Sequence, residues 1–364
     1  MDEQLLFFHA AERTRNVIKW LFCFDCHHYA VTTNSFVVTC IRGMLKRMAH
    51  LTKKCPILCG LLLFSRAICK PRMRSTDVIE FSGSVEDALN QLRVAVQKAP
   101  ASSQLSDERF DITHEAFECS SSQQQLVLQA LKELIGSHQG STSALRILSV
   151  GCGSGILDNQ LISSLASSSE PFEYTGVDPN PVACRRFRED FEKLALSNVK
   201  LELRTEAVES LNINKPFDII QLTHALYYFK DPADTLGKLR RLLAPGGKLI
   251  IVQAPNEHLN QLSECFWSHH VDQDIWFSRC LERHFVKQKI DFTCQRIYGE
   301  VDVTRCFNEG CPHGEKLLDF ITQSDCRESD AEVRERCLNF LKKISRVDGE
   351  SLKVEHPADV FVVI

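Results

Sequence analysis

Ile147-Leu148-Ser149-Val150-Gly151-Cys152-Gly153-Ser154-Gly155 decides the fold of this chain. Its apolar start reads as a buried parallel strand, and a helical pattern opens at Ile156 after the glycines. Glycine has no Cβ and tolerates positive φ, so such a turn lets a ligand come close to the backbone. The amides at the following helix start then face a polar ligand. The glycines run G-x-G-x-G, tighter than the G-x-G-x-x-G of dinucleotide-binding folds. The next apolar run, Phe172 to Val177, ends at Asp178, about 20 residues beyond the turn, as a βαβ unit requires. Ligands of open α/β sheets sit beyond the carboxyl ends of the strands, where an acid can accept hydrogen bonds from both hydroxyls of a ribose. Asp178-Pro179-Asn180-Pro181 then starts a helix, so Asp178 is either that acid or a helix cap.

The alternation continues. Asn198 to Leu203 and Phe217 to Leu222 read as a third and a fourth strand. Leu236 to Leu243 has helical apolar spacing, Pro245-Gly246-Gly247 ends it, and Lys248 to Val252 is a fifth strand. Repeated strand–helix units predict a parallel sheet with helices on both faces.

Composition narrows the partners. The net charge of −4 and the lack of a basic tract disfavour a DNA or RNA partner. The 16 cysteines show no zinc spacing; Cys23/Cys26 and Cys55/Cys59 are isolated pairs. Their expected state is reduced and buried, as in a cytoplasmic enzyme. His269 and His270 are adjacent, so on a helix they diverge and do not form a metal pair. No metal is expected.

Residues 1–72 stand apart, rich in Cys, Phe, Leu and His without amphipathic order. The apolar run Cys55 to Phe64 falls far short of the ~20 residues that span a bilayer, so no stable membrane insertion is expected. Three readings remain: an appended helical region, a weak membrane anchor, or an extension that does not belong to the mature enzyme and is disordered or absent from it. The last is favoured, because the composition changes near Met73 and the enzyme-like chain, 73–364, follows.

The glycine spacing, the Leu-x-Pro-Gly-Gly turn and the strand after it resemble class I S-adenosyl-L-methionine-dependent methyltransferases. Within that class, two segments resemble the histamine N-methyltransferases: Gln221-Leu222-Thr223-His224-Ala225-Leu226-Tyr227-Tyr228-Phe229-Lys230-Asp231, and Asp302 to Gly310 followed by Gly314 to Thr322. The C-terminal Phe361-Val362-Val363-Ile364 also matches, and Ser149 fits a family that lacks the acid many relatives carry there. The resemblance covers roughly residues 117–364.

That resemblance implies a Rossmann-like sheet of seven strands with a reversed last strand, helices on both faces and a small substrate lid. Cys294 to Tyr298 and Asp359 to Ile364 are the candidate strands it adds. It implies a donor-binding core over about 144–255, with substrate elements from 110–140 and 256–358. It implies S-adenosyl-L-methionine as cofactor, held by Gly151, Gly153, Gly155, Asp178 (Glu in the family) and Thr223. Tyr227, Tyr228 and Phe307 match aromatic walls of an amine pocket. Glu118 is the candidate acid that holds the substrate, by an alignment that needs a small gap. His224 stands where the family has a Gln that contacts substrate; it either takes a proton or hydrogen-bonds the acceptor. Glu118 and His224 are thus the catalytic candidates.

The chain departs from the family at Ala183, at Val208, and at His356 or Pro357, where the family has an amine-bonding Asn. The tryptophans of the family pocket have no clear equivalents here; Trp267 and Trp276 lie nearby in sequence and read as packing residues or as wall substitutes. The implied reaction is an SN2 methyl transfer to a neutral nitrogen of histamine or a related imidazole amine, by a monomer. Methylation of another small metabolite, or donor binding without catalysis, are the alternatives. A solvated acid at Glu118, and core packing by Tyr227, Tyr228 and Phe307, are the bland readings of those residues.

Overall fold

The computed structural model describes residues 83–100, 103–138, 144–167, 170–267, 275–326 and 329–364. The extension 1–72 and the pair His269/His270 lie outside the described residues.

Three helices, α1 (Val85–Lys98), α2 (Asp107–Ser120) and α3 (Gln123–Gly136), precede the sheet. Then come β1 (Leu145–Val150), α4 (Ile156–Ala166), β2 (Phe172–Val177), α5 (Pro181–Lys193), β3 (Val199–Arg204) and β4 (Phe217–Thr223). Next are α6 (Pro232–Arg241), β5 (Leu243–Gln253), α7 (Leu259–Trp267), α8 (Ser278–Gln288) and β6 (Phe292–Asp302). The chain closes with α9 (Pro312–Thr322), α10 (Ala331–Ile344), β7 (Arg346–Asp348) and β8 (Ser351–Val363).

The sheet order is β3-β2-β1-β4-β5-β8-β6. β1 to β5 pair in parallel, and β8 runs antiparallel to both β5 and β6. The parallel pairing and the reversed strand match the expected architecture. The strand count does not: β7 pairs with β8 and makes the sheet eight-stranded. Both late strands also exceed the expected segments. β6 and β8 pair from Phe292↔Val363 to Asp302↔Lys353, a ribbon whose outer face carries charged residues that hide its apolar rhythm.

Two boundaries move as well. Asp231 caps α6 by accepting from the Asp234 amide, so the helix starts earlier than its apolar spacing suggests. Leu243 already pairs with Phe217, and a register shift carries β5 through the Pro-Gly-Gly turn.

Alternation along the strands divides the core. Ile147, Tyr174, Ile219 and Ile250 pack with Val127 and Leu131 of α3, Leu161 of α4 and Phe187 of α5. Leu148, Val150, Ile220 and Ile251 pack on the other face with Leu236 and Leu239 of α6 and Leu281 and Phe285 of α8. A third cluster joins α1, α7, α9 and α10 with Val301 and Val354 at the far end of the β6/β8 ribbon. Helix α2 is tied down from two sides. Its Arg109 pairs with the buried Asp319 of α9, and its Asp111 and Glu115 accept from Arg186 of α5 at 2.9 and 2.8 Å. This holds α2 over the carboxyl ends of β1, β2 and β4.

Candidate active site

A cavity of about 440 Å³ lies at those strand ends, walled by the glycine turn, Asp178, Thr223, the segment after β4 and helix α2. The turn is built from left-handed backbone: φ is +70° at Gly151, +53° at Gly153 and +71° at Gly155. A Cβ on Gly151 would lie 2.6 Å from that of Ala225, and one on Gly155 would lie 2.3 Å from the Phe187 ring. Gly153 faces open space, and a Cβ there would meet nothing within 4 Å among the described residues. The turn therefore packs tightly on one side and leaves backbone bare on the other.

Asp178, half-buried, accepts from the Gly153 amide at 2.9 Å and from the Asn180 amide at 2.9 Å. Burial raises its carboxyl pKa despite those two amides. The helix cap is a different residue: Asn180 accepts from the Val182 and Ala183 amides. Thr223 ends β4 on the cavity wall, and its buried hydroxyl has no hydrogen-bond partner among the described residues. Bare glycine backbone, an acid with free lone pairs and an unpartnered hydroxyl fit an adenosyl-type ligand with ribose and amino-acid groups.

The remaining wall is aromatic. The Tyr227 ring lies 5.4 Å from Trp267 and 6.2 Å from Tyr228, which is half exposed at the mouth. Phe117 lies 4.7 Å from Phe320, and Phe110 meets Tyr228 edge-on at 6.1 Å. Glu118 lines the cavity and pairs with His114 one turn back on α2, at 3.4 Å.

His224 follows β4 in a left-handed conformation (φ +52°), its amide donating to the Val252 carbonyl. Both ring nitrogens are engaged. Tyr227 Oη accepts from the Ala254 amide, which leaves its own proton for His224 Nδ1 at 3.3 Å. Gln123 Nε2 donates to the His356 carbonyl, which turns Oε1 toward His224 Nε2 at 2.7 Å. Gly299 makes this bridge possible, since a Cβ there would sit 2.5 Å from that of Gln123. Burial pulls His224 down to about 4, against Glu118, which favours the charged ring, and with His114, which opposes it. His356 is buried, also lines the cavity, and is pulled down to about 3 by that burial; its Nδ1 has no partner among the described residues.

The structure thus gathers Gly151, Gly153, Gly155, Asp178, Thr223, Glu118, His224, Tyr227 and Tyr228 around one space. It does not bring Phe307 there. Phe307 ends a 3-10 turn (Thr304–Phe307) and packs, partly buried, on the helical cluster of α1, α7, α9 and α10. Phe320, from the helix after that turn, and Gln323, which caps it, reach the cavity instead. Trp267 is a wall residue, whereas Trp276 packs beside α8. Sequence reasoning missed Phe110, His114, Phe117 and Gln123. Their only signal was spacing: Phe110, His114 and Phe117 recur on one face of a helix that otherwise reads as solvated.

The two neutral histidines give a pH expectation. An unfolded imidazole takes a proton near 6.5, and the folded ones do not until about 4 and about 3. Their contribution to stability is therefore whole above ~6.5 and is lost as pH falls below it. Asp158, Asp178 and Asp319, raised by burial, act with the opposite sign. The useful quantity is the difference between the parent and His356→Gln. Unfolding free energies from urea titrations between pH 7.5 and 5 should show a smaller pH slope in the variant, by a difference that grows to about one proton, ~1.4 kcal/mol per pH unit, near pH 5. Identical slopes would mean that His356 is charged in the fold.

The methyltransferase domain family matches residues 111–309, more than half of the chain. Histamine N-methyltransferase of Xenopus tropicalis is 28% identical over 229 residues, 57% of this chain and 77% of that protein. Histamine N-methyltransferase A of Xenopus laevis is 27% identical over 60% of this chain and 80% of that protein. Among solved structures, the YcgJ protein from Bacillus subtilis aligns with a TM-score of 0.45 and 18% identity over 65% of this chain and 97% of its own. With its class I fold and its glycine-turn cavity, the chain belongs to the methyltransferase domain family and is an S-adenosyl-L-methionine-dependent methyltransferase similar to the histamine N-methyltransferases.

Proposed function

We propose that residues 73–364 transfer a methyl group from S-adenosyl-L-methionine to a nitrogen of a small imidazole amine, histamine or a close relative. The observation that supports this is the carboxylate of Glu118 on an aromatic wall continuous with the glycine turn. In this reading residues 144–255 hold the donor, and residues 110–140 and 256–358 supply the substrate elements. The protein acts as a cytoplasmic monomer on a free metabolite; no helix among the described residues is long and apolar enough to cross a membrane.

The donor, when bound, supplies an electrophilic methyl group on a sulfonium. The Gly151–Gly155 turn and Thr223 would line its site, and Asp178 would take its ribose hydroxyls. The protein's task is then largely positioning. Glu118 pairs with the substrate ammonium and orients the ring carrying the neutral nitrogen. Phe110, Tyr227, Tyr228 and Trp267 exclude water and tolerate a cationic product.

His224 acts as a positioning residue. To accept a proton it would have to give up its bond from Tyr227 or its bond to Gln123. Its low proton affinity also suits a neutral wall better than a base at pH 7.

A panel of imidazole amines and other small metabolites, assayed with radiolabelled S-adenosyl-L-methionine, tests the reading. Label should enter one or more imidazole amines. Label only in metabolites that lack an imidazole would overturn the substrate class. Binding of the donor with no methyl acceptor in the panel would favour a protein that binds without catalysis.

A further inference from the structure

Two thiols meet beneath the glycine turn, and the proposed reaction uses neither. Cys152 lies inside the Gly151–Gly155 turn and lines the cavity. Its amide donates to the Val177 carbonyl at 3.3 Å. Its sulfur occupies space that Gly176 leaves open, since a Cβ there would lie 3.0 Å from Sγ. Cys184, in the first turn of α5, places its Sγ 3.4 Å from the Asp178 carbonyl oxygen. The Cys152 thiol donates to the Cys184 sulfur, and both cysteines are free. One sulfur thus belongs to the turn and the other to the helix, on either side of the strand end that carries Asp178.

The pair is polarised. Its bond to Cys184, then burial and the carboxylates of Asp158 and Asp178, push the Cys152 thiol up. The same bond pulls Cys184 down to about 7, helped by the Thr205 hydroxyl and Arg188 against burial and Asp178. Elsewhere burial only pushes thiols up, at Cys265, Cys306, Cys326 and Cys337. The thiolate is the nucleophilic form, and a second thiol in contact with it is a resolving partner already in place. Packing alone would not need the anion to be supported.

We propose that Cys152 and Cys184 form a reversible oxidation site for a peroxide, and that their disulfide closes the donor site. The peroxide enters through the cavity that Cys152 lines. The Cys184 thiolate attacks one peroxide oxygen; the S–O bond forms, the O–O bond breaks, and the leaving hydroxide takes the Cys152 proton as water. The Cys152 thiolate then attacks the Cys184 sulfur; the S–S bond forms and hydroxide departs. Two sulfurs are oxidised by one electron each, and the peroxide is reduced. A covalent bond draws the sulfurs closer than a hydrogen bond does, so the turn moves with Cys152. Gly153, the next residue, holds Asp178 through its amide at 2.9 Å, and that tie is displaced with it. The closure rests on the donor reading above; the disulfide does not.

The test treats the full chain with hydrogen peroxide, alkylates the remaining thiols and maps the cross-linked peptides by mass spectrometry without reduction. A peptide pair joining Cys152 to Cys184 is expected, and prior saturation with S-adenosylhomocysteine should slow its formation. Calorimetric titration with S-adenosylhomocysteine should show at least about tenfold weaker binding after peroxide, restored to within about twofold by dithiothreitol. Cys184→Ser should give no such peptide and keep its affinity within about twofold through the same treatment. If the serine variant does not fold, Cys184→Ala carries the same expectation. Absence of the Cys152–Cys184 peptide from the oxidised parent would overturn the oxidation site. The cross-link with unchanged affinity would overturn the closure, as would an equal loss of affinity in Cys184→Ser, which would place the damage at another cysteine. If the reduced parent does not bind S-adenosylhomocysteine, the donor reading falls and the closure with it, while the peptide map still decides the oxidation site.

Discussion

Asp178→Ala should raise the dissociation constant for S-adenosyl-L-methionine by at least tenfold. Hydrogen bonds to a charged group are worth about 1.5–3 kcal/mol, which corresponds to roughly 10- to 150-fold in affinity. The alanine loses two things: the proposed acceptor for the ribose hydroxyls and the tie from Oδ2 to the Gly153 amide. Asp178→Asn separates them. Its side-chain oxygen keeps one acceptor for the turn, and its amide presents donors where the ribose also presents donors. An intermediate loss is expected for Asn and the full loss for Ala. The pH dependence follows from burial, which raises the carboxyl pKa. The ionised form is the acceptor, so affinity should begin to fall on acidification above the range of an ordinary aspartate. Unchanged affinity in Asp178→Ala by calorimetric titration would remove this residue from the donor site.

The proposed donor half of the site was legible because backbone geometry dictates it. A turn with three left-handed positions needs glycine, and the acid at the end of β2 stands in register with it through the Val177 carbonyl, which accepts from the Gly151 and Cys152 amides. Such constraints leave fixed spacings in the chain. The substrate half has no such spacing. Phe110, His114 and Gln123 come from helices ahead of the sheet, and only tertiary ties such as Arg186–Asp111 bring them over the strand ends. Those ties join residues 75 apart and follow no local pattern.

Phe307 illustrates the converse. A matching segment put it among the wall residues, but its side chain is taken by the packing of the helical cluster, and the wall position falls to Phe320 one helix later. In the sequence Asp158 is only an acid in the first turn of a helix, which is favourable at a helix N-terminus. Only its burial under β1 and β4 shows that it faces inward. The β6/β8 ribbon was underestimated for a related reason. The exposed face of β6 carries charged residues up to Glu300 and Asp302, so the buried Val301 and Val354 at the far end of the ribbon do not stand out as an apolar alternation.

Glu118→Gln should lower kcat/KM for the amine substrate by about 10- to 150-fold, the range for one charged hydrogen bond. Most of the loss should appear in KM, because an ammonium held away from the reacting nitrogen contributes to ground state and transition state alike. The substitution keeps the shape and an acceptor oxygen, so the α2 packing around Phe117 and the ties of Arg109 and Arg186 should persist. Removing the carboxylate also removes a charge that favours a charged His224, which leaves that ring still more firmly neutral. Donor affinity should therefore remain within about twofold of the parent, since Asp178 and the glycine turn are untouched. A neutral imidazole substrate without the ammonium provides the control. It should react poorly with the parent and no worse with the variant, because the charge pair that Glu118 offers is absent in both. If the amine and the neutral imidazole lose rate equally in Glu118→Gln, the carboxylate is supporting α2 and not holding the substrate. If amine kinetics do not change at all, the acid that recognises the ammonium lies elsewhere on the wall, with Asp107 and Asp111 of the same helix as the next residues to replace.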